Sequence, residues 1–179
     1  MAHEEAGFIP LFNGRDLGGW SLRGNGENCW RVENGVVIND ARGSDIYSEA
    51  EFGDFQVRYE YLLPPKSNSG VYLRGRYEIQ IWDTYGQSPT VQTNGALYGR
   101  IVPAVEASRP AGTWQTVDTT LRGRTVTVVL NGQTVIDGGD LGTGPTRAAM
   151  FNDDAERGPI LLQGDHGPVS FRHVRLRPL

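Results

Sequence analysis

Three short stretches of the sequence carry side chains that could do chemistry together. The first is Tyr77-Glu78-Ile79-Gln80-Ile81-Trp82-Asp83, where Glu78, Gln80 and Trp82 fall two residues apart and therefore share one face of an extended chain. A carboxylate, an amide and an indole on one face can move a proton, bind hydroxyls and stack on a ring, which is what a sugar site needs. An ordinary solvated strand face would show the same alternation. The indole favours a covered site, because an exposed Trp on a polar face is unfavourable. Asp83 stands just past the run, where it could join the site or cap a turn. The second stretch is Leu162-Gln163-Gly164-Asp165-His166-Gly167, in which two glycines would let the backbone bend and hold His166 at an edge between Gln163 and Asp165. The third is Thr93-Asn94-Gly95-Ala96-Leu97-Tyr98-Gly99, a loop that could present the Tyr98 ring and hydroxyl or simply turn and pack.

Other chemistries lack their signatures. No Gly-x-Ser-x-Gly turn is present, and Ser44, Ser67, Ser69 and Ser88 sit in turn-like contexts, so acyl transfer by serine is disfavoured. Gly24-Asn25-Gly26 opens no strand-to-helix unit, and Lys66, the single lysine, follows no glycine-rich loop, so a phosphate cradle is absent. Cys29 stands alone, which rules out an internal disulfide and a cysteine-based metal site; beside Trp30 it reads as a small buried apolar residue. A net charge of -4 gives no positive field for phosphates or anionic lipid, so neither nucleic acid nor membrane is an expected partner. The residues from Met1 to Glu5 lack a basic stretch followed by an apolar run, and no segment is apolar enough to span a bilayer. The expected location is cytoplasmic as written, or secreted or periplasmic if an export signal was trimmed.

The elements that would position these groups are strands. Twenty-four glycines and ten prolines in 179 residues imply many tight turns, and Asn13-Gly14, Asn34-Gly35, Pro64-Pro65, Asn94-Gly95, Asn131-Gly132 and Gly138-Gly139 cut the chain into short runs. Phe55, Val57, Tyr59, Tyr61 and Leu63 alternate with polar residues, a half-buried strand. Val126, Val128 and Leu130 lead into Asn131-Gly132 and a return through Thr134-Val135-Ile136, the clearest hairpin. For Val71-Tyr72-Leu73 and Tyr77 to Ile81, a two-residue loop would set Leu73 against Glu78. A three-residue loop, Arg74-Gly75-Arg76, instead pairs Leu73 with Tyr77 and Val71 with Ile79. That register buries Val71, Leu73, Tyr77, Ile79 and Ile81 and sends Tyr72, Glu78, Gln80 and Trp82 to the opposite face. The apolar phase of the last strand slips at Arg172-His173, which predicts a β-bulge. A short helical turn near Asn152 to Glu156 is the one helical expectation. The expected architecture is a single all-β domain over residues 1–179, with 1–6 as a tail, built as an antiparallel two-sheet sandwich.

At these residues the chain resembles the 3-keto-disaccharide hydrolase domain family of the concanavalin-like class. The resemblance runs through Phe12-Asn13-Gly14-Arg15-Asp16-Leu17 with Trp20, Trp30-Arg31-Val32-Glu33-Asn34-Gly35, Asn68-Ser69-Gly70-Val71 with Leu73-Arg74, and Tyr77 to Asp83. It continues through Gly95 to Gly99 and Leu162-Gln163 to His166-Gly167, ending with Val169 and Phe171-Arg172. It implies a jelly-roll sandwich with a cleft on its concave sheet, acting on glycosides or oligosaccharides whose sugar has been oxidised to a ketone. Such a ketone acidifies the neighbouring C–H, so one base can form an enolate that expels the glycosidic oxygen, after which water adds back. On this reading Glu78 and His166 divide the acid and base roles, and Asp83 orients His166 or joins a metal site. Gln80, Gln163, Tyr98, Tyr72 and Arg74 bind hydroxyls or the ketone, and Trp82 stacks on a ring. A divalent cation or an arginine would polarise the ketone; Glu78, Asp83 and His166 are types an ion could accept, although no spacing motif marks them.

Two departures stand out: Trp82 where a smaller apolar residue is expected, and His173 where an Asn is usual. Two other functions use the same fold. A non-catalytic carbohydrate-binding module needs only the aromatic and amide groups. A laminarinase-like glycosidase needs two carboxylates about 5 to 9 Å apart, yet Gln80 holds the place of the second acid and Asp165 could supply one only if its loop folds over.

Overall fold

The computed structural model describes residues 6–179, and every regular element among them is a strand. In chain order these are β1 (Ile9–Pro10), β2 (Trp20–Arg23), β3 (Trp30–Glu33), β4 (Val36–Asn39), β5 (Asp45–Ser48), β6 (Phe55–Leu62), β7 (Asn68–Leu73), β8 (Tyr77–Trp82), β9 (Gln115–Arg122), β10 (Thr125–Leu130), β11 (Gln133–Asp140), β12 (Leu161–Leu162) and β13 (Val169–Pro178). The larger sheet has the order β11-β10-β9-β6-β13-β4-β3, with β1 also paired to β13; the smaller has the order β2-β5-β12-β7-β8. All pairings are antiparallel, and the two sheets stack as a jelly-roll sandwich of the concanavalin-like class.

The core forms where the two alternating patterns face each other. Phe55, Val57, Tyr59, Tyr61 and Leu63 point inward from the β6 side, and Val71, Leu73, Tyr77, Ile79 and Ile81 from the β7–β8 hairpin, all buried. The hairpin register is the one the apolar phase requires, with Leu73 opposite Tyr77 and Val71 opposite Ile79. Arg76 N donates to Leu73 O at 3.0 Å across a turn whose central residues Arg74 and Gly75 both have positive φ, 52° and 64°. That conformation matches the right-handed twist of the flanking strands. The Asn131-Gly132 turn has the same form, with φ of 50° and 81°, and closes β10 onto β11. The bulge on β13 is present: pairing with β6 jumps between Arg172 and Arg175, and His173 takes a φ of 52°.

Two local expectations are corrected. Residues 152–156 form bends rather than a helical turn, because Asp153 and Asp154 spend their carboxylates on Arg76, Tyr77 and the backbone of Gly144 and Ala155. Cys29 is only half-buried, its sulfur facing Arg42 O at 3.8 Å. At the β13 bulge, His173 Nδ1 lies 2.9 Å from Glu60 Oε1 across the strand pair.

The β7–β8 turn is where the fold is most sensitive. Gly75 combines its positive φ with close packing, because a Cβ there would stand 3.2 Å from the Phe151 ring. Gly75→Val is expected to lower stability by roughly 1–3 kcal/mol, seen as a lower urea midpoint with an unchanged slope.

Candidate active site

The outward face of the smaller sheet carries a cleft of about 340 Å³. Its base is formed by Tyr72 on β7, Glu78 and Gln80 on β8, and Gln163 just past β12; Asn68, Tyr98, Arg147, Ala148 and His166 surround it. Strand phase puts the base residues on this face. Loops covering the face then bury them: Tyr72, Glu78, Gln80 and Gln163 are all 5% exposed or less.

β8 is the edge strand of its sheet, and two segments take up its free backbone groups. On one, Tyr98 N donates to Glu78 O at 3.0 Å, and Gln80 exchanges hydrogen bonds with Gly95 and Ala96. On the other, Thr146 Oγ1 accepts from Glu78 N at 2.9 Å and donates to Arg76 O at 3.0 Å, and Met150 N reaches Gly75 O at 2.8 Å. The first segment brings Tyr98 to the cleft, and the second brings Arg147 and Ala148.

Glu78 leans diagonally across the hairpin over Gly70, whose missing side chain leaves the room: a Cβ at Gly70 would collide with Glu78 Oε1. Tyr72 donates from its hydroxyl to Glu78 Oε2 at 2.9 Å. Burial without a cation pushes the Glu78 carboxyl up to about 8, a rise that the Tyr72 hydrogen bond opposes and the charges of Asp165 and Asp45 assist. Burial likewise pushes the Tyr72 phenol well above its usual range, so it remains a donor.

His166 sits at the rim, half-exposed, with Nδ1 against Asp165 Oδ1. Its loop is fixed from beneath. Asn39 Nδ2 donates to Gly164 O at 3.1 Å and Gly167 O at 3.0 Å, and Asp45 Oδ1 accepts from Gly164 N at 2.9 Å. Gly164 serves close approach rather than a bend: a Cβ would stand 2.7 Å from Trp30 Nε1, which itself donates to Ser44 O at 2.7 Å.

The amide oxygens Gln80 Oε1 and Gln163 Oε1 are buried and have no hydrogen-bond partner. Two orphan acceptors beside an open cleft fit hydroxyl donors from a ligand.

Of the residues singled out in the sequence, Glu78, His166, Gln80, Tyr98, Gln163 and Tyr72 come together here. Three do not. Asp83 Oδ2 accepts from Lys66 N at 2.8 Å, so it caps the turn before β7, and Asp165 takes the place beside His166. Arg74 is buried at the hairpin tip, bonded to Gly53 O, Gly123 O and Asp54 Oδ1 at 2.9–3.0 Å. Trp82, at the last position of β8 opposite Asn68, does not line the cleft. The set Glu78, Asp83 and His166 therefore does not fit a shared metal ion, and no other group of three His, Cys, Asp or Glu does so among the described residues. Sequence reasoning missed two residues. Asn68 was accessible from phase, two before Gly70 and four before Tyr72. Arg147 lies in a Gly- and Pro-containing loop without periodicity, and no local signal marks it.

A match to the 3-keto-alpha-glucoside-1,2-lyase-like domain covers residues 7–177. The chain belongs to that family. No curated protein matches the sequence. Among solved structures, a candidate glycosyl hydrolase from Parabacteroides distasonis ATCC 8503 is 30% identical with a TM-score of 0.79, the alignment covering 97% of this chain and 84% of that one. A second from the same organism is 22% identical with a TM-score of 0.79, over 97% and 94% of the two chains. The carbohydrate-binding module CBM66 from Bacillus subtilis shares the fold at 18% identity and a TM-score of 0.60, over 89% and 95%. Membership of the lyase-like family supports glycoside processing by the chain.

The raised Glu78 carboxyl has a consequence for stability. Between the unfolded value near 4.5 and the folded value near 8 the native state holds a proton that the unfolded chain has lost, so stability falls as pH rises through that window. Thermal melts should show a decline of roughly 5 °C or more between pH 5 and pH 9, and Glu78→Gln should flatten it. An unchanged slope in the variant would place the titration elsewhere.

Proposed function

We propose that the chain cleaves 3-keto-glycosides by elimination, with Glu78 as a neutral acid and His166 as the base. The observation that carries this reading is the contrast within one cleft between a buried carboxyl held protonated near neutral pH and a rim imidazole paired with Asp165. Two groups whose environments differ this way can take opposite proton-transfer roles without exchanging them first.

The ketone at C3 acidifies the hydrogen on C2. His166 accepts that proton, while Asp165 orients the imidazole and stabilises the imidazolium that forms. The C2–H electron pair moves into a C2–C3 double bond and places the negative charge on the ketone oxygen as an enolate; as the enolate collapses the C1–C2 double bond forms, the C1–O bond breaks, and Glu78 gives its proton to the departing oxygen. Water then adds across the double bond, its hydroxyl to C1 and a proton to C2, which completes net hydrolysis. Arg147, exposed at the cleft and free of any carboxylate partner among the described residues, faces the ketone oxygen and stabilises the enolate. Gln80 and Gln163 accept from ring hydroxyls, and Tyr98 adds a donor at the edge.

Leaving-group dependence separates the roles. With a 3-keto-glycoside bearing an alkyl alcohol, Glu78→Gln and His166→Ala should each lower kcat/KM by ~10²–10⁴-fold. With a nitrophenol, which departs without protonation, Glu78→Gln should lose far less while His166→Ala loses as much as before. Equal losses on both substrates would remove Glu78 from the acid role. In the wild type, kcat/KM on the alkyl substrate should fall above pH about 8, as Glu78 gives up the proton it donates. Binding of sugars without any release from keto or ordinary glycosides would instead favour a binding module, the function named for the CBM66 relative.

A further inference from the structure

We propose that Tyr72 is a positioning residue that couples the protonation state of Glu78 to the turn carrying Arg147, through one hydroxyl hydrogen shared between two acceptors. The consequence for turnover rests on the elimination reading; the coupling itself rests on geometry. Tyr72 Oη lies 2.9 Å from Glu78 Oε2 and 3.2 Å from Arg147 O, and a phenol has one hydrogen to give. Gln163 Nε2, 3.5 Å away, is itself a donor and cannot take that hydrogen. Against an ionised Glu78 the carboxylate wins, because a charge-assisted bond is roughly twice as strong as a neutral one. Against the neutral acid it does not, since an amide oxygen is a better acceptor than the carbonyl oxygen of a carboxylic acid.

The second acceptor belongs to a strained turn. Ala149 N donates to Thr146 O at 3.4 Å, which closes a turn with Arg147 and Ala148 at its centre. Of these two, Ala148 alone has a positive φ, 60°, the type II pattern that ordinarily asks for glycine at that position. A type I turn would relieve the alanine by flipping the central peptide, the one whose oxygen is Arg147 O. The Tyr72 hydrogen thus bonds the very oxygen whose direction distinguishes the two turns. The ends of the turn are held independently of that peptide: Thr146 N donates to Arg76 O at 2.9 Å, Arg23 Nη2 to Ala149 O at 2.9 Å and Met150 N to Gly75 O at 2.8 Å.

In the acid form the hydrogen holds Arg147 O and keeps the turn in its strained shape, with Arg147 at the cleft. When Glu78 yields its proton to the departing oxygen, the Tyr72 hydroxyl rotates toward the new carboxylate. Its O–H bond stays intact, the buried negative charge gains a donor, and Arg147 O loses one. The titratable and charged groups around Glu78 are Tyr72 from β7, Asp45 from β5, Asp165 and His166 from the loop after β12, Tyr98 from the covering segment, and Arg147 itself. Of these, Tyr72 alone is bonded both to Glu78 and to the Arg147 backbone.

NMR of carbonyl-labelled protein reads the coupling without turnover. In the wild type the Arg147 carbonyl resonance should move upfield as its donor leaves, with the midpoint of the Glu78 carboxyl, near pH about 8. Tyr72→Phe should abolish that movement and raise the Glu78 midpoint, because the hydrogen bond that favours the carboxylate is gone. Glu78→Gln, which leaves His166, Asp45 and Asp165 in place, should abolish it too. An Arg147 carbonyl that does not titrate in the wild type, or that still titrates in either variant, overturns the coupling. In turnover, Tyr72→Phe should lower kcat/KM on the alkyl 3-keto-glycoside about tenfold and move its alkaline limb upward by about one pH unit, with little loss on the nitrophenyl substrate. A loss with the limb unmoved would give Tyr72 a structural part only and overturn its positioning role. If the wild type turns over neither keto substrate while the carbonyl titrates as stated, the elimination reading fails and the coupling stands.

Discussion

A carboxyl group taken out of water with no cation beside it organises the outward face of the smaller sheet. Desolvating a carboxylate costs far more than desolvating the acid, so Glu78 stays neutral up to a pH near 8 and its neighbours are those a neutral acid tolerates: a phenol, a glycine and two amides. Gly70 must lack a side chain because the carboxyl lies across it. Tyr72 must remain protonated to satisfy Oε2, and the same burial ensures that it does. The loop through Thr146 is needed to close the edge strand over Glu78 and, in the same step, delivers Arg147 to the cleft. The cation, exposed and at the cleft's surround, does not neutralise the acid it serves beside.

Asp45 on the same face shows the alternative. Burial raises it as well, but it has Arg23 and the Gly164 amide as partners. Its role is accordingly positional. Arg23 joins Asp45, which supports the His166 loop, to Ala149 O in the Arg147 loop, so a single guanidinium ties together the two segments that carry the polar groups at the rim. Two acids on one face of the sheet, on β5 and β8, thus differ in environment because one has a permanent counter-charge and the other does not.

Most of the fold was legible because it depends on phase. The inward set of β6, the register of β7 on β8, the Asn131-Gly132 hairpin and the bulge at His173 all follow from where apolar residues fall in a period of two. The same logic placed Tyr72, Glu78 and Gln80 on one face. It failed where phase stops. Trp82 has the correct phase but, at the last position of β8, does not line the cleft, and Asp83 is past the strand end, where a free carboxylate is drawn to the nearest turn amide. Arg74 sits at a tip whose three carbonyl and carboxylate partners come from residues 53, 54 and 123, distant in sequence and brought in only by the sandwich. Arg147 was invisible for the converse reason: its loop has no pattern, and only the demand of an uncovered edge strand fixes where it docks.

That division has a chemical logic. The groups that must hold an exact protonation state, Glu78 and Tyr72, are carried by paired strands, whose ladder hydrogen bonds and packed underside allow little movement. On the proposed mechanism the groups that meet an arriving substrate, His166, Tyr98 and Arg147, are carried by loops at the rim, each loop held to a strand residue by at least one hydrogen bond. A protonated carboxyl is only useful as an acid if it is released from its burial at the moment of transfer, and the leaving oxygen does that by supplying the charge the proton moves to. On the proposed mechanism the rigid face stores the proton, and the loops decide which glycosidic oxygen is brought within reach of it.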